Sequence, residues 1–377
     1  MDGRLHPFAM ARLLLRALSA ALLLPVCSAQ VAVRVLGPQG QVPPGEVRVF
    51  GTAQGVGELT LGERRIAVAG DGTWETTLEL GLGDHALRFG TTGATETTIH
   101  HVLVLEPRKG MDARPVLRVD SADAFVAALG PSRILVLAPG EHDLARTSST
   151  VLPPGVERRE GTLNLVLSEI DDLDVVGAAD GTTTLLTSAA AGTTLILTEC
   201  QRVNLTSLVL AHRPIAVEGE TELPEKSLGG VLAFRRTYNT WLRACRLTGE
   251  GVAISVTKIN AFVCQDSTIE GCTGGVLDTT NSKHMTFLDS RFVDNGRGRP
   301  GDLCVRIGGG ERRDIDFLRV ALRGNRPGPG TGLFELDAGQ VQVLFEDGEI
   351  LDNAAEALSS GAGKALFKVT GSKVQEF

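Results

Sequence analysis

Apolar and polar residues alternate with a period of two along most of the chain, the pattern of strands with one buried face. Four early stretches show it: "EVRVFGTA", "ELTLGERRIAVAGDGTWETTLEL", "HALRFGTT" and "TTIHHVLVL". Short Gly-rich turns separate them, and "GDGTW" reads as a hairpin turn entering a strand. The pattern predicts a small β-sandwich over residues 30–107, with Trp74 in its core. His100 and His101 are adjacent on one strand, so they face opposite ways and do not share a metal. "EPRKGMDARP" is polar and carries two prolines, which places a linker at 108–114. "VDSADAFVAALG" predicts a short helix, with Asp120 or Ser121 as N-cap and Gly130 as the stop. "RILVLAPGEHDL" then reads as strand, tight turn, strand.

From about residue 160 the chain repeats. "VNLTSLVLAHR", "TWLRACRLTGE", "FVCQDSTIEGC", "MTFLDSRFVDN", "IDFLRVALRGN" and "VLFEDGEILDN" lie above one another when aligned. One apolar column runs Leu205, Leu242, Cys264, Phe287, Phe317, Phe345. A second runs Leu210, Leu247, Ile269, Phe292, Leu322, Ile350. Steps in the first column are 37, 22, 23, 30 and 28 residues, so the unit is about 22 residues and the longer steps are insertions. A period of this size predicts a solenoid, in which each unit buries its apolar face against its neighbours. The columns account for Cys264 as a core residue. Cys245 falls with Ser267 and Ser290, and Cys272 with Asn295. Asn295, Asn325 and Asn353 share a corner column, where Asn tolerates left-handed φ. Asp266, Asp289 and Asp347 share another, interrupted by Ala244 and Arg319. The charged stretches "DSRFVDNGRG" and "EIDDLDVVG" are therefore corners of a repeat rather than catalytic clusters.

The recurring hydrophobic-x-hydrophobic-x-(Asp/Asn)-(Ser/Cys)-x-hydrophobic-x-x-(Asn/Cys) pattern resembles the right-handed parallel β-helix proteins of the pectate-lyase-like superfamily. The likeness covers residues 115–377. It implies an all-β protein in which a short N-terminal helix caps the first coil, a part that "SADAFVAALG" fits. Residues 30–107 resemble, at the level of pattern, bacterial immunoglobulin-like modules of exported proteins. A fold of this kind does not license an activity. The chain lacks paired aspartates beside Gly-His-Gly and Arg-x-Lys, as in polygalacturonase-like glycosidases. It also lacks the calcium carboxylates with a partner arginine of pectate lyases.

Residues 1–29 read as an export signal. Arg4, Arg12 and Arg16 precede or interrupt an apolar run from Leu13 to Val26, and Cys27-Ser28-Ala29 offers small residues for cleavage. A lipid anchor on Cys27 is the weaker alternative. No later segment is long and apolar enough to span a bilayer. Removing the signal leaves 34 basic against 44 acidic residues, a net charge of −10. With no basic block and aromatics at 4%, nucleic acid is not an expected partner. An acidic chain disfavours polyanions unless a cation such as calcium bridges them; no cofactor is otherwise evident. The remaining cysteines (Cys200, Cys245, Cys264, Cys272, Cys304) are odd in number and lack CxxC spacing, so they read as buried small side chains.

Candidate chemistry lies beside the insertions "HRPIAVEGETELPEKSL", "GRGRPGD" and "RPGPGT". All precede the same strand of the unit, and loops on a rigid scaffold carry function. If Leu232, Ile254, Leu277, Val305 and Phe334 point inward, the outward row is Ala233, Ser255, Asp278, Arg306, Glu335. Coils stack about 4.8 Å apart, which sets Asp278 and Glu335 roughly 10 Å apart with Arg306 between. Asp278, Glu335 and Arg306 are the catalytic candidates; Arg235, Asp337, Arg297 and Arg299 are candidates for substrate contact. Two functions fit. One is an exported enzyme depolymerising extracellular or cell-envelope polysaccharide, as lyase or hydrolase. The other is a non-catalytic binding, adhesive or structural surface protein, with a surface salt-bridge ladder in place of a site.

Overall fold

The computed structural model describes residues 32–91, 97–107, 114–159, 164–189, 192–215, 229–309, 313–337, 340–354, 358–360, 364–370 and 373–374. The signal segment with Cys27, and 108–113 of the expected linker, lie outside them. The chain divides into two compact units. One takes in the chain up to Pro38 together with Arg48–Thr77 and Leu87–His100; the other takes in Gln39–Val47, Leu78–Ala86 and the chain from His101.

The early strands form two small sheets. Ala32–Gly37, Gly45–Gln54 and Thr73–Leu80 make one; Gln41–Val42, Thr98–Val104, Gly83–Gly90, Glu58–Leu61 and Arg64–Ala67 make the other. Alternation works as the sequence predicts: along Gly45–Gln54, Val47, Val49 and Ala53 are buried while Glu46, Arg48 and Gln54 are exposed. Trp74 is 4% exposed and its ring lies 4.9 Å from that of Phe89 on the other sheet, which confirms it as core. The turn before it closes by Gly72 N donating to Ala69 O (2.8 Å).

The rest of the chain is a parallel β-helix. Helix α1, Ala122–Ala128, opens it, with Ser121 Oγ accepting from Ala124 N at 3.2 Å. Phe125 and Val126 of α1 are fully buried in the core of the coil. Each full coil then contributes three strands to three faces. The first face contains Asn164–Ser168, Thr193–Thr198, the first half of Gly230–Arg243 and of Val252–Gln265, then Gly275–Thr280, Val305–Gly308 and Phe334–Asp337. The second contains Asp171–Val176, Gln201–Thr206, the second halves of the same long strands, Lys283–Leu288, Arg313–Leu318 and Gln340–Glu346. The third runs from Gly140–Asp143 to Lys373–Val374.

Both apolar columns read from the sequence are register columns. Leu205, Leu242, Cys264, Phe287, Phe317 and Phe345 pair successively on the second face. Leu210, Leu247, Ile269, Phe292, Leu322 and Ile350 do so on the third. All twelve are at most 1% exposed, and Phe287 and Phe317 stack with centroids 5.0 Å apart.

The corners explain the polar columns. Ala244, Asp266, Asp289, Arg319 and Asp347 turn the chain from second to third face, each at φ between +50° and +54°. Short polar residues that bond their own backbone suit this conformation, and Arg319 sits there with its guanidinium on both oxygens of Asp289 (2.6 and 2.8 Å). Beyond the third face the left-handed residues are Gly271, Asp294, Gly324 and Asp352. The expectation that the stacked asparagines themselves take left-handed φ is corrected here. Each follows the left-handed residue and points inward, where Asn295 Nδ2 donates to Asn325 Oδ1 and Asn325 Nδ2 to Asn353 Oδ1, both at 2.9 Å. Cys272 heads the ladder, its N donating to Asn295 Oδ1 at 3.0 Å. Cys245, Ser267 and Ser290 form the equivalent column at the preceding corner. All five described cysteines are buried thiols, and burial pushes Cys264, Cys272 and Cys304 up to about 12.

Candidate functional site

The first face carries the row expected from the sequence. Leu232, Ile254, Leu277, Val305 and Phe334 are buried to within 1%. Alternation therefore turns Ala233, Ser255, Asp278, Arg306 and Glu335 outward, and they occupy successive coils in register. Arg306 donates from Nε to Asp278 Oδ1 (2.9 Å) and from Nη2 to Oδ2 (2.5 Å). This two-pronged contact uses the fork geometry of guanidinium and engages both oxygens of the carboxylate. The side chains are 25% (Asp278) and 41% (Arg306) exposed, so the pair is wet and contributes little to stability by itself. Glu335 is half-buried one coil further on. Toward the N-terminal end the same outer row becomes apolar: Val166, Ile196 and Ala233 are all buried and form one cluster.

The four flanking candidates separate. Arg235 and Asp337 share a register column, but Thr257, Thr280 and Gly308 lie between them. Four coil steps put them roughly 19 Å apart, so they do not act on one group. Arg297 anchors its own loop: Nη2 donates to Glu250 Oε1 at 2.5 Å, while Asp302 Oδ2 accepts from the backbone N of Arg297 (2.6 Å) and of Arg299 (3.0 Å). The Arg299 side chain is exposed. Of the long insertion after His212, residues 216–228 lie outside the described residues.

A second constellation escaped the sequence reading. The chain has one Tyr and two Trp; Trp74 is core, and the other two residues fall three apart in "TYNTW". Residues three apart on a regular strand point to opposite faces. Here the second of two left-handed residues at the face-one to face-two corner, Arg236 at φ +53° and Asn239 at φ +50°, falls between Tyr238 and Trp241 and resets the alternation. Thr240 points in and is fully buried, Leu242 likewise, and Tyr238 (39% exposed) and Trp241 (half-buried) both lie on the outside. The Arg243 guanidinium lies 5.8 Å from the Trp241 ring centroid, within cation–π range. Gln201 and Asn260 are the register neighbours of Tyr238, and Gln265 that of Arg243. The available signal was compositional: aromatics are scarce, yet two sit within four residues.

Perturbed carboxyls lie on the second face and at its corner. Burial, then the neighbouring Asp314, pushes Asp316 up. Burial, then Asp289, does the same to Asp266. Arg319 holds Asp289 down. Two open clefts lie elsewhere. One of about 520 Å³ lies between the strands around Phe50 and Trp74. The other, about 560 Å³, is lined by Asp123, Glu141, Asp143, Arg146, Arg213 and Ile215 among others. Neither touches Asp278 or Trp241. Among the described residues no three His, Cys, Asp or Glu side chains converge to hold a metal ion. Among the same residues no helix is long and apolar enough to cross a membrane.

No family model and no curated protein matches the sequence. Solved structures do resemble it. A pectate lyase from Bacillus sp. N165 in complex with trigalacturonate shares 9% identity over 71% of this chain and 83% of its own, with a TM-score of 0.47. A pectate lyase from Paenibacillus sp. 0602 shares 9% over 65% and 72% (TM-score 0.44), and an alginate lyase from another Paenibacillus 10% over 70% and 99% (TM-score 0.37). At such values the likeness carries no chemistry across; the fold assignment stands on the parallel register itself.

Proposed function

We propose that this is an exported protein that binds extracellular or cell-envelope polysaccharide along its β-helix, its N-terminal sheets serving as an immunoglobulin-like module. The observation that carries the reading is the outward row of the first face, where Arg306 stands between Asp278 and Glu335. Its groups repeat every coil, about 4.8 Å, close to the length of one sugar residue. Forked donors and carboxylates at that spacing suit a ladder of hydroxyl groups.

Binding is favoured over depolymerisation. Asp278 and Glu335 are two coils apart, about 10 Å, just beyond the carboxylate separation of roughly 6.5–9.5 Å used by inverting glycosidases. Arg306 occupies the coil between them and already engages both oxygens of Asp278. The test uses the chain from Gln30 against neutral and acidic polysaccharides, in retarding gels and with assays for reducing ends and unsaturated products, each with and without calcium. Retention without product, weakened in Arg306→Gln, is the expected result. Product that disappears in Asp278→Asn or Glu335→Gln converts the reading to a lyase or hydrolase. No retention and no product overturns it.

A further inference from the structure

We infer that the second face holds a separate sugar-stacking subsite, built on Tyr238 and Trp241, for one pyranose ring of a neutral glycan. The inference takes the ligand's broad class from the polysaccharide reading but not its place, which is a different face of the helix. Two aromatic rings three residues apart reach one surface only because Asn239 turns the chain at φ +50° between them. Amphipathic aromatic rings at a surface offer a flat apolar area with little entropy to lose. The C–H face of a pyranose fits such an area, and its rim hydroxyls need hydrogen-bonding groups around it. Planar amides stand there: Gln201 one coil before, Asn260 and Gln265 one coil after. Amides both donate and accept, which matches hydroxyls and not phosphate or ammonium groups.

Charge selects the neutral class. The cations around the platform have acidic neighbours: Arg243 lies over the Trp241 ring and is close enough to Asp266, just beyond Gln265, to interact electrostatically; Arg202 engages both oxygens of Asp172 and donates from Nη1 to Gln201 Oε1 at 3.0 Å; Arg236 pairs with Glu199. The chain as a whole carries a formal charge of −8. The net acidic charge disfavours a polyuronate, whereas an uncharged glycan meets no such cost. The surface also has a natural beginning. Leu103 and Leu105 cluster with Ile134, Val136 and Val176 on the outer side of the earliest coils of this face; Val176 is 0% exposed. Two coils on, Tyr238 and Trp241 lie at the surface, and Asn260, Val263 and Gln265 continue it along the axis. A chain seated on the platform extends toward the C-terminal coils.

Trp241 reports on its own occupancy, because Trp74 is only 4% exposed. Acrylamide quenching of the intact protein is measured with hydroxyethyl cellulose, soluble starch and polygalacturonate. A neutral polymer is expected to protect Trp241, with affinity falling about tenfold in Tyr238→Ala and in Trp241→Ala, read for the Trp241 variants from retardation in polysaccharide gels. Trp241→Phe restores most of the binding, and thermal unfolding of the three variants matches the parent. Protection is also expected to persist in Arg306→Gln. Protection by polygalacturonate alone overturns the neutral class. Retention of a polymer in gels with unchanged quenching overturns the subsite and leaves the first-face reading standing. Absence of both retention and protection overturns the two together.

Discussion

Asn325→Ala tests the interior ladder most directly. Asn325 is 0% exposed. Its Oδ1 accepts from Asn295 N (3.1 Å) and Asn295 Nδ2 (2.9 Å), and its Nδ2 donates to Phe292 O and Asn353 Oδ1, each at 2.9 Å. Alanine deletes all four contacts and places no water-accessible substitute there. Two partners are not orphaned: Asn295 Nδ2 still donates to Ile269 O, and Asn353 Oδ1 still accepts from Asn325 N. Asn295 N and Phe292 O are left without this partner. At about 1 kcal/mol net per hydrogen bond, and more where a buried group is left unpaired, the loss is about 4 kcal/mol. The assay is urea unfolding followed by far-UV circular dichroism, comparing midpoints where the slope matches the parent. Asn260→Ala, at an exposed position, serves as the control and is expected to change stability by less than about 0.5 kcal/mol. A loss below about 1 kcal/mol in Asn325→Ala, with unchanged slope, refutes the claim that the ladder supports the turns.

Three further outcomes follow from buried groups. Cys200 and Cys245 are pushed up to about 11, and Cys264, Cys272 and Cys304 to about 12, so these five thiols should resist alkylation at pH 8 until denaturant is added; mass spectrometry that finds them labelled in native buffer refutes their burial. Asp84 accepts from Arg118 Nη1 (2.8 Å) and Nη2 (2.9 Å) and pairs with His101 Nδ1 at 2.7 Å. Burial pulls its pKa up, but these partners outweigh burial and hold it below the ordinary value. Its stabilisation is therefore full above the ordinary carboxylate pKa and is lost as pH falls through the folded value. Asp84→Asn should cost about 2 kcal/mol at pH 7, the gap from the parent closing in acid; a gap independent of pH contradicts this. Asp316 has the opposite sign. Burial and Asp314 raise it, so its ionisation opposes folding as pH rises from the ordinary value through the raised one. Asp316→Asn should then gain modest thermal stability at pH 7 and none below pH about 3, and equal gains at both values would count against the assignment.

The core of the coil was legible because a solenoid repeats its chemistry locally. Each unit must present an apolar residue at the same place to bury it against the next, so Leu205 through Phe345 and Leu210 through Ile350 could be aligned by eye and became register columns unchanged. The outward row Ser255, Asp278, Arg306, Glu335 followed by alternation alone from the inward column Leu232, Ile254, Leu277, Val305, Phe334. Helix α1 was legible from Ser121 and the apolar spacing of Phe125 and Val126. Corners were legible in position, from Asp and Asn, but not in detail. The sequence does not say which of Asp294 and Asn295 takes the left-handed conformation, because both residue types tolerate it; the inward hydrogen bonds of Asn295 decide.

What the sequence by itself determined is thus the coil, its columns and the side of each strand that faces out. The tertiary structure alone decided which outward residues meet. Arg306 pairs with Asp278, 28 residues back, and Arg235 shares a row with Asp337 yet stands four coils away. Tyr238 and Trp241 came to one surface through a corner that strict alternation does not anticipate. The physical reason is range. Alternation and capping depend on neighbours along the chain, whereas pairing across coils depends on insertion lengths and on left-handed residues. Those shift the register by single residues, and each such shift turns a side chain from one face to the other.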